Sequence, residues 1–459
     1  MTRGRLLATG GAFVLLGAAG ALSACGRGDG RDAVAEVPDP DDWLVTRWWR
    51  DPLARGSYST LPPGAAPEDR IELARPVDER LFMAGEATSA DFPATIHGAL
   101  VSGRRAAEEV LAVSGPAERA LVVGAGVAGL AAARALAGAG MEVVVVEGRD
   151  RIGGRVWTDD RLGVPVDLGA AWIHGPVGNP LSDLAREAGV ETDPTRWDRR
   201  SVHAPDGSRI ADEDADDALD ELEEVLGAGE GAGGSGGSLG DAFRAGVVAT
   251  GVPPARLAGL GWAARSEIEL DLADDLGRLS PLALEEGEEL AGGDVLPLGG
   301  FRAVVAPLAD ELDVRLGHLV SAISRRADGV RVETSRGVLA ADRAVCTLPL
   351  GVLRAGSVRF DPPLPAPARE AIGLLGVGAL DKVVLRFPHA FWDPDVHAFG
   401  WQTTERSEFT EFVSLLPSTG APILVAFRAG SAARSGEAMG DDSMAAAATR
   451  SLRTMLGGA

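Results

Sequence analysis

Residues 119–147 read RALVVGAGVAGLAAARALAGAGMEVVVVE and decide the fold. The apolar run 119–123 predicts a short buried strand, and the alanine-rich run 130–140 predicts a helix. A second apolar run, 142–147, predicts another strand. Strand, helix and strand in this order are typical of a βαβ unit in a parallel α/β sheet.

A GxGxxG pattern lies at the turn between the first strand and the helix, formed by Gly124, Gly126 and Gly129 with Ala128 inside it. Glycines at this spacing allow a tight turn, close approach of a pyrophosphate and packing of the helix on the strand. Glu147 ends the second strand, where a carboxylate binds the ribose hydroxyls of a dinucleotide. These features together predict a dinucleotide-binding domain.

The composition argues against several classes of protein and site. The chain has 459 residues and a formal net charge of −23, which argues against general nucleic-acid binding. The two cysteines, Cys25 and Cys346, imply no disulfide framework, and no His/Cys cluster has metal-ligand spacing. The sequence holds a single lysine, Lys382, and a single tyrosine, Tyr58, which makes both positions candidates for a site.

Two segments after the βαβ unit separate FAD from NAD as the cofactor. GRDRIGGRVWT at 148–158 and DLGAAWIHG at 167–175 resemble the second fingerprint and the flavin-side loop of the flavin amine oxidases. The resemblance implies FAD and assigns it contacts from Arg149, Gly154, Arg155, Gly169, Ala171 and Trp172. It also implies an α/β fold: an FAD/NAD(P)-binding Rossmann-like domain of the amine oxidase type plus an α+β substrate domain with a mixed sheet and helices.

The resemblance extends over nearly the whole chain, but in an altered order. Residues 314–325, with Val320 at adenine, and 381–394, with Lys382, resemble later family segments. TRWWRDPLARGSYS at 46–59 and the glycine-containing segment 81–111 resemble the family's C-terminal signature, yet they precede the glycine turn. We interpret this order as a circular permutation, with an error in the gene assembly as the alternative.

The resemblance also predicts the division of the chain. The predicted segments are 1–25, a lipoprotein signal peptide; 26–37, a flexible tether; 38–63, substrate domain; 64–113, FAD domain; 114–180, the FAD-binding βαβ unit and flavin loop; 181–295, substrate domain; 296–355, FAD domain; and 356–459, substrate domain.

The family's reaction centre is carried over residue by residue. Lys382 matches the lysine that holds a water against the flavin, and Tyr58 matches the tyrosine beside the flavin ring, so both are candidate catalytic residues. Tyr58, Trp48 and His174 are candidate substrate contacts, whereas Trp49 is expected in the core. A neutral His174 imidazole could also accept a proton, although a structural loop histidine is an equal alternative.

The C-terminal signature supplies further cofactor contacts. Gly85 and Glu86 match the ribityl and phosphate contacts, and Thr95 and Ile96 match the flavin-pyrimidine contacts. Some relatives attach their flavin covalently to a cysteine in this signature. Residues 46–111 contain no cysteine, so noncovalent FAD is expected.

The first residues resemble a bacterial export signal. A basic start and an apolar run lead into Leu22, Ser23, Ala24 and Cys25, which resemble a lipobox. We therefore expect lipidation at Cys25 and an exported protein anchored to the outer face of the cytoplasmic membrane. An uncleaved anchor is the alternative, and the export route, Sec or twin-arginine, stays open.

The sequence thus predicts FAD-dependent oxidation of an amine to an imine, which is hydrolysed to an aldehyde and ammonia or a shortened amine. Dioxygen would be reduced to hydrogen peroxide, so the expected partners are a small amine, O2 and a membrane lipid. The alternatives are an L-amino-acid oxidase and a non-catalytic FAD-binding surface lipoprotein. A homodimer is an open alternative to a monomer.

Overall fold

The computed structural model describes residues 36–115, 118–232 and 234–457. The predicted signal peptide, Cys25 and nearly all of the predicted tether lie outside the described residues. No helix in the described ranges is both long enough and apolar enough to cross a bilayer.

The strands and helices alternate irregularly along the chain. The strands are β1 Asp42–Val45, β2 Ser59–Thr60, β3 Leu81–Met83, β4 Arg119–Val123, β5 Glu142–Val146, β6 Thr158–Asp159, β7 Val166–Asp167, β8 Ile173–His174, β9 Thr192–Thr195, β10 Arg200–His203, β11 Asp294–Pro297, β12 Asp313–Arg315, β13 Val320–Arg326, β14 Gly329–Thr334, β15 Gly337–Ala341, β16 Arg343–Cys346, β17 Arg359–Asp361, β18 Gly376–Val377, β19 Leu380–Arg386, β20 Ala398–Trp401, β21 Glu411–Ser414 and β22 Ile423–Ala429. The α-helices are α1 Glu68–Ala74, α2 Ile96–Val113, α3 Val127–Gly138, α4 Pro180–Glu187, α5 Asp212–Ala228, α6 Leu239–Thr250, α7 Leu257–Ala264, α8 Phe301–Val305, α9 Leu350–Arg354, α10 Ala366–Leu374, α11 Leu416–Thr419, α12 Gly430–Gly436 and α13 Asp441–Met455.

A parallel sheet with the order β12-β5-β4-β16-β3 forms the dinucleotide-binding part. The predicted strand, helix and second strand appear as β4, α3 and β5. Both faces of the sheet are covered, so β4 is buried from its second residue to its last. Because the GxGxxG turn directly follows β4, it lies at the carboxyl edge of the sheet, where ligands bind in open α/β folds.

Residues that precede the glycine turn complete this sheet. β3 pairs parallel to β16 at the sheet edge, and α2 packs against α3. The two helices approach so closely that a Cβ on Gly103 would lie 2.1 Å from the carbonyl oxygen of Ala128. The segment 81–111 is thus an integral part of the dinucleotide-binding part, although it precedes the glycine turn in the chain.

A mixed six-stranded sheet with the order β1-β19-β22-β21-β20-β10 forms the second part of the molecule. Its pairs are antiparallel except for β10 and β20, which run parallel. Val383 and Leu385 of β19 pack in an apolar core with residues of α13. A Rossmann-like sheet beside a mixed sheet with helices confirms the predicted fold class.

Candidate active site

A cavity of about 810 Å³ runs from the glycine turn to the mixed sheet. This volume lies within the usual range for ligand and cofactor pockets. All but one of the predicted cofactor, substrate and catalytic residues line it: Trp48, Tyr58, Gly85, Glu86, Thr95, Ile96, Gly124, Gly126, Ala128, Glu147, Arg149, Gly154, Arg155, Gly169, Ala171, Trp172, His174, Val320 and Lys382. The exception is Gly129, which lies behind the turn. The structure brings these residues together, while their individual roles stay predictions.

The glycine turn has the shape that a pyrophosphate requires. A Cβ on Gly129 would lie 1.9 Å from the carbonyl oxygen of Gly124, so only glycine allows the helix to start there. A Cβ on Gly126 would meet no protein atom closer than 4.0 Å, which leaves the turn open toward the cavity. Beside it, Glu147 is buried and accepts hydrogen bonds from the backbone N–H groups of Ala125 and Arg149, both at 2.8 Å. These residues fit a bound dinucleotide.

Buried charged side chains form a hydrogen-bonded network at the cavity wall that includes Glu86. Glu86 accepts a hydrogen bond from Arg155 at 2.9 Å and another from the Ser59 hydroxyl. Arg70 forms a two-pronged ion pair with Glu286 at 2.5 and 2.9 Å and also donates to Ser59. Burial alone would raise the pKa of Glu86, but the Arg155 and Arg70 charges outweigh it and lower this pKa. Glu86 is therefore held as a carboxylate.

Lys382 lies where the cavity meets the mixed sheet. Its Nζ donates to the backbone carbonyls of Asp167 and Gly169, at 2.8 and 2.6 Å. The ammonium also lies 5.5 Å from the ring centre of Trp172 and 5.8 Å from that of Phe427. Burial lowers the pKa of Lys382 to about 8, although the charge of Asp167 opposes this change. Lys382 is thus a buried cation whose charge is lost just above neutral pH.

The segment after β1 brings two aromatic residues to the cavity. The Trp48 indole donates to the Leu168 carbonyl at 3.1 Å, and its backbone N–H donates to Asp381. The Tyr58 hydroxyl donates to the backbone carbonyl of Asp271 at 2.8 Å. The expectation that Trp49 belongs to the core is wrong. Its side chain is 37% exposed, because its neighbour Trp48 takes the inward position of the chain at this turn.

Two carboxyl groups that the sequence does not single out lie on the cavity wall and beside it. Glu411 on β21 lines the cavity and accepts hydrogen bonds from Ser266 and Trp262. Burial raises the pKa of Glu411 to about 7, against the effect of these two donors. Asp294 on β11 lies behind His174 and bonds to its ring. Neither residue belongs to a local motif, so no sequence signal short of the folded structure could have identified them.

A cavity that joins a pyrophosphate-binding turn to a buried lysine on a second sheet defines a flavin-dependent oxidoreductase. The family model described as flavin containing amine oxidoreductase matches residues 24–111 and 127–459. The chain therefore belongs to the flavin amine oxidase family, and it is an amine oxidoreductase with FAD as its cofactor.

Similar proteins agree with this assignment. The chain is 36% identical to polyamine oxidase 2 of Arabidopsis thaliana over 356 residues, which cover 73% of this chain and 72% of the relative. It is 37% identical to lysine-specific histone demethylase 1 homolog 1 of Oryza sativa subsp. japonica, over 69% of this chain and 40% of that longer protein. A structure of putrescine oxidase bound to putrescine has a TM-score of 0.55 at 23% identity and covers 74% of this chain and 82% of that one. This last likeness concerns the fold.

Proposed function

We propose that the protein oxidises the carbon–nitrogen bond of an amine to an imine, which water hydrolyses to an aldehyde and ammonia or a shortened amine. The observation that carries the proposal is Lys382, a buried ammonium on the wall shared by the dinucleotide-binding part and the mixed sheet. Bound FAD supplies a two-electron acceptor, and O2 takes the electrons on to form hydrogen peroxide. The protein's own part is to orient the amine, exclude water and set the local charge. Noncovalent attachment of FAD is part of the proposal.

We further propose that the substrate is a di- or polyamine. Glu288, Glu289 and Glu411 line the cavity, and a carboxylate attracts a second, distal ammonium group. The names of the polyamine and putrescine oxidases among the similar proteins point in the same direction. An L-amino-acid oxidase would instead need an arginine for the substrate carboxylate. Three arginines are among the described lining residues. Arg149 and Arg155 are paired with Asp51 and Glu86, and Arg55 is exposed at the cavity wall.

Anaerobic titration tests both proposals. Purified protein is mixed without oxygen with spermidine, putrescine, an aromatic monoamine and an L-amino acid, and the flavin absorbance is followed. Bleaching by spermidine or putrescine supports the proposal, and bleaching only by the amino acid overturns it in favour of the alternative oxidase. A flavin band that no compound bleaches favours a non-catalytic FAD-binding protein.

We propose that the altered segment order is a native circular permutation. The family model matches in two separate stretches, and residues 114–118 alone connect α2 to β4. A reordered gene that encodes 119–459 followed by 36–113 should yield a protein with the same flavin spectrum and amine turnover. An assembly error is the alternative. Sequencing genomic DNA across the codons for 105–125 would reveal it as a different junction.

We also propose export and lipid anchoring through Cys25 at the outer face of the cytoplasmic membrane. The support is the sequence of residues 1–25, with its basic start, apolar run and lipobox-like end. Replacement of Cys25 by alanine (Cys25→Ala) should move the protein from the membrane fraction to the soluble extracytoplasmic fraction. An unchanged membrane fraction would favour the uncleaved anchor. Light scattering on the detergent-free variant would distinguish a homodimer from a monomer.

A further inference from the structure

A carboxylate and an imidazole pair directly across two strands at the cavity wall. β8 and β11 are antiparallel neighbours, and their register places Asp294 opposite His174. Asp294 Oδ1 lies 2.9 Å from His174 Nδ1. The Asp294 side chain is fully buried, whereas 47% of the His174 side chain is exposed, and His174 lines the cavity. Backbone pairing therefore fixes the buried partner, and the imidazole alone reaches the substrate space.

The second oxygen of Asp294 is also engaged. Trp197 Nε1 donates to Asp294 Oδ2 at 2.7 Å, and Trp197 itself lines the cavity. Burial raises the pKa of Asp294, but the hydrogen bond and charge of His174 outweigh burial and hold this pKa well below its usual range. An ionised carboxylate can only accept hydrogen bonds. The proton in the contact with His174 therefore belongs to Nδ1 of the imidazole.

We propose that Asp294 positions His174 in the tautomer with Nδ1 protonated, so that Nε2 accepts a proton from the ammonium group of the bound substrate. This inference rests on the proposed amine oxidation. The step breaks one N–H bond of R–NH3+ and forms one N–H bond on Nε2, giving R–NH2 and an imidazolium that Asp294 stabilises. No electrons are transferred, and the proton leaves to water through the exposed part of the ring.

The free amine needs such an acceptor, because its nitrogen lone pair must be available before the adjacent C–H bond is broken. The other titratable groups that line the cavity include Lys382, Glu411, Asp271, Glu288 and Glu289. The Nζ group of Lys382 donates hydrogen bonds to two backbone carbonyls. Because a carbonyl oxygen only accepts, these contacts favour the protonated form of Lys382, which cannot take a proton from the substrate. Glu288 and Glu289 lie in a segment whose backbone contacts the chain next to His174. This segment continues to Gly293, whose carbonyl accepts a hydrogen bond from the backbone N–H of Gly175, the residue after His174. These carboxylates favour the ammonium form of the substrate, which makes an acceptor inside the cavity more necessary.

The tautomer can be observed without any turnover. Protein loaded with FAD is labelled with 15N-histidine, and long-range 1H–15N spectra show which ring nitrogen carries the proton in each imidazole. The variant His174→Asn removes one of the six histidine signals and thereby assigns it. We expect the proton on Nδ1 in the wild type. A proton on Nε2 would overturn the proposal, whatever the substrate proves to be.

Turnover then tests the positioning role. Asp294→Asn should shift the His174 proton to Nε2 and lower kcat about a hundredfold, a typical contribution of a positioned base, with little change in KM. The matched control is Asp193→Asn in the same small sheet, where Asp193 binds Ser418 outside the cavity. The control should keep both the tautomer and kcat.

The outcomes separate the two hypotheses. An Asp294→Asn protein with wild-type kcat refutes the positioning role even if amines are oxidised. If no amine bleaches the flavin, the proposed function fails, while the tautomer measurement still decides the state of the imidazole. If Asp294→Asn fails to bind FAD, the proposal is tested by the tautomer of His174 in the wild type and by the kcat of His174→Gln. Wild-type kcat in His174→Gln would refute the acceptor role.

Discussion

Replacement of Glu411 by glutamine should stabilise the protein above neutral pH and leave it nearly unchanged in acid. Burial raises the pKa of Glu411 from 4.5 to about 7. The folded state therefore holds a proton that the unfolded chain releases at a lower pH. Stability is lost as pH rises from about 4.5, and the loss is complete above about 7. The size of the shift corresponds to about 3 kcal/mol in the free energy of unfolding.

Glutamine suits this test because it removes the charge and keeps the shape. In the wild type, Ser266 and Trp262 donate hydrogen bonds to Glu411. The Oε1 atom of the glutamine can still accept both of them. Urea unfolding at several pH values from 5 to 8 measures the free energies of Glu411→Gln and the wild type at a fixed FAD concentration. The difference between them should grow by up to about 3 kcal/mol toward pH 8.

A control separates burial from net charge. Glu224→Gln removes the same charge from an exposed position on α5 and should change stability by less than about 0.5 kcal/mol at every pH. A stability difference for Glu411→Gln that is constant from pH 5 to pH 8 would refute the reasoning. At pH 8, where Glu411 is ionised, the same variant should raise KM for a diamine more than for a monoamine, because the distal ammonium loses its carboxylate.

Three further predictions concern the cofactor site and its support. Lys382→Met should slow reoxidation of the reduced enzyme by O2 in stopped-flow measurements. In the wild type this rate should fall about tenfold from pH 7 to pH 9 as Lys382 loses its proton near pH 8, and in the variant it should not change with pH. Gly129→Ala should abolish FAD retention on gel filtration, because its Cβ would clash with the Gly124 carbonyl. Gly138→Ala at the other end of α3, where a Cβ meets no atom within 4 Å, should retain FAD. Arg70→Met should cost about 3–5 kcal/mol in urea unfolding, because it removes the buried guanidinium that pairs with the buried Glu286 carboxylate. The exposed pair of Arg186 and Asp183 is the control, and Arg186→Met should leave the free energy of unfolding nearly unchanged.

The dinucleotide-binding part could be predicted because its signals are local. The strand at 119–123 is buried on both faces, so its apolar run is continuous, and the glycine turn follows it directly. The acidic run 211–226 likewise forms a helix of its own, α5. In each case neighbouring residues in the chain carry the whole pattern.

The substrate side depends on contacts between distant residues. His174 was identified through a family motif, but its partner Asp294 lies 120 positions away in the chain. The donors to Glu411 are about 145 residues away from it. Trp49 shows the same limit on a smaller scale, since two adjacent tryptophans have equal apolar character and only the packing decides which one is buried. Composition and spacing do not encode these choices.

The pairing of β3 with β16 constrains how the chain can be made. Leu81 of β3 can pair only after Ala344 of β16 has been synthesised, and Ala344 leaves the ribosome about 260 residues later. At ordinary synthesis rates the delay amounts to tens of seconds, during which α2 has no finished sheet to cover. The nucleotide-binding core therefore cannot close until three quarters of the polypeptide exists. A nascent chain that folds so late stays extended for longer, which is the state that a translocation channel accepts. It also depends more strongly on chaperones to keep the buried face of α2 from aggregating.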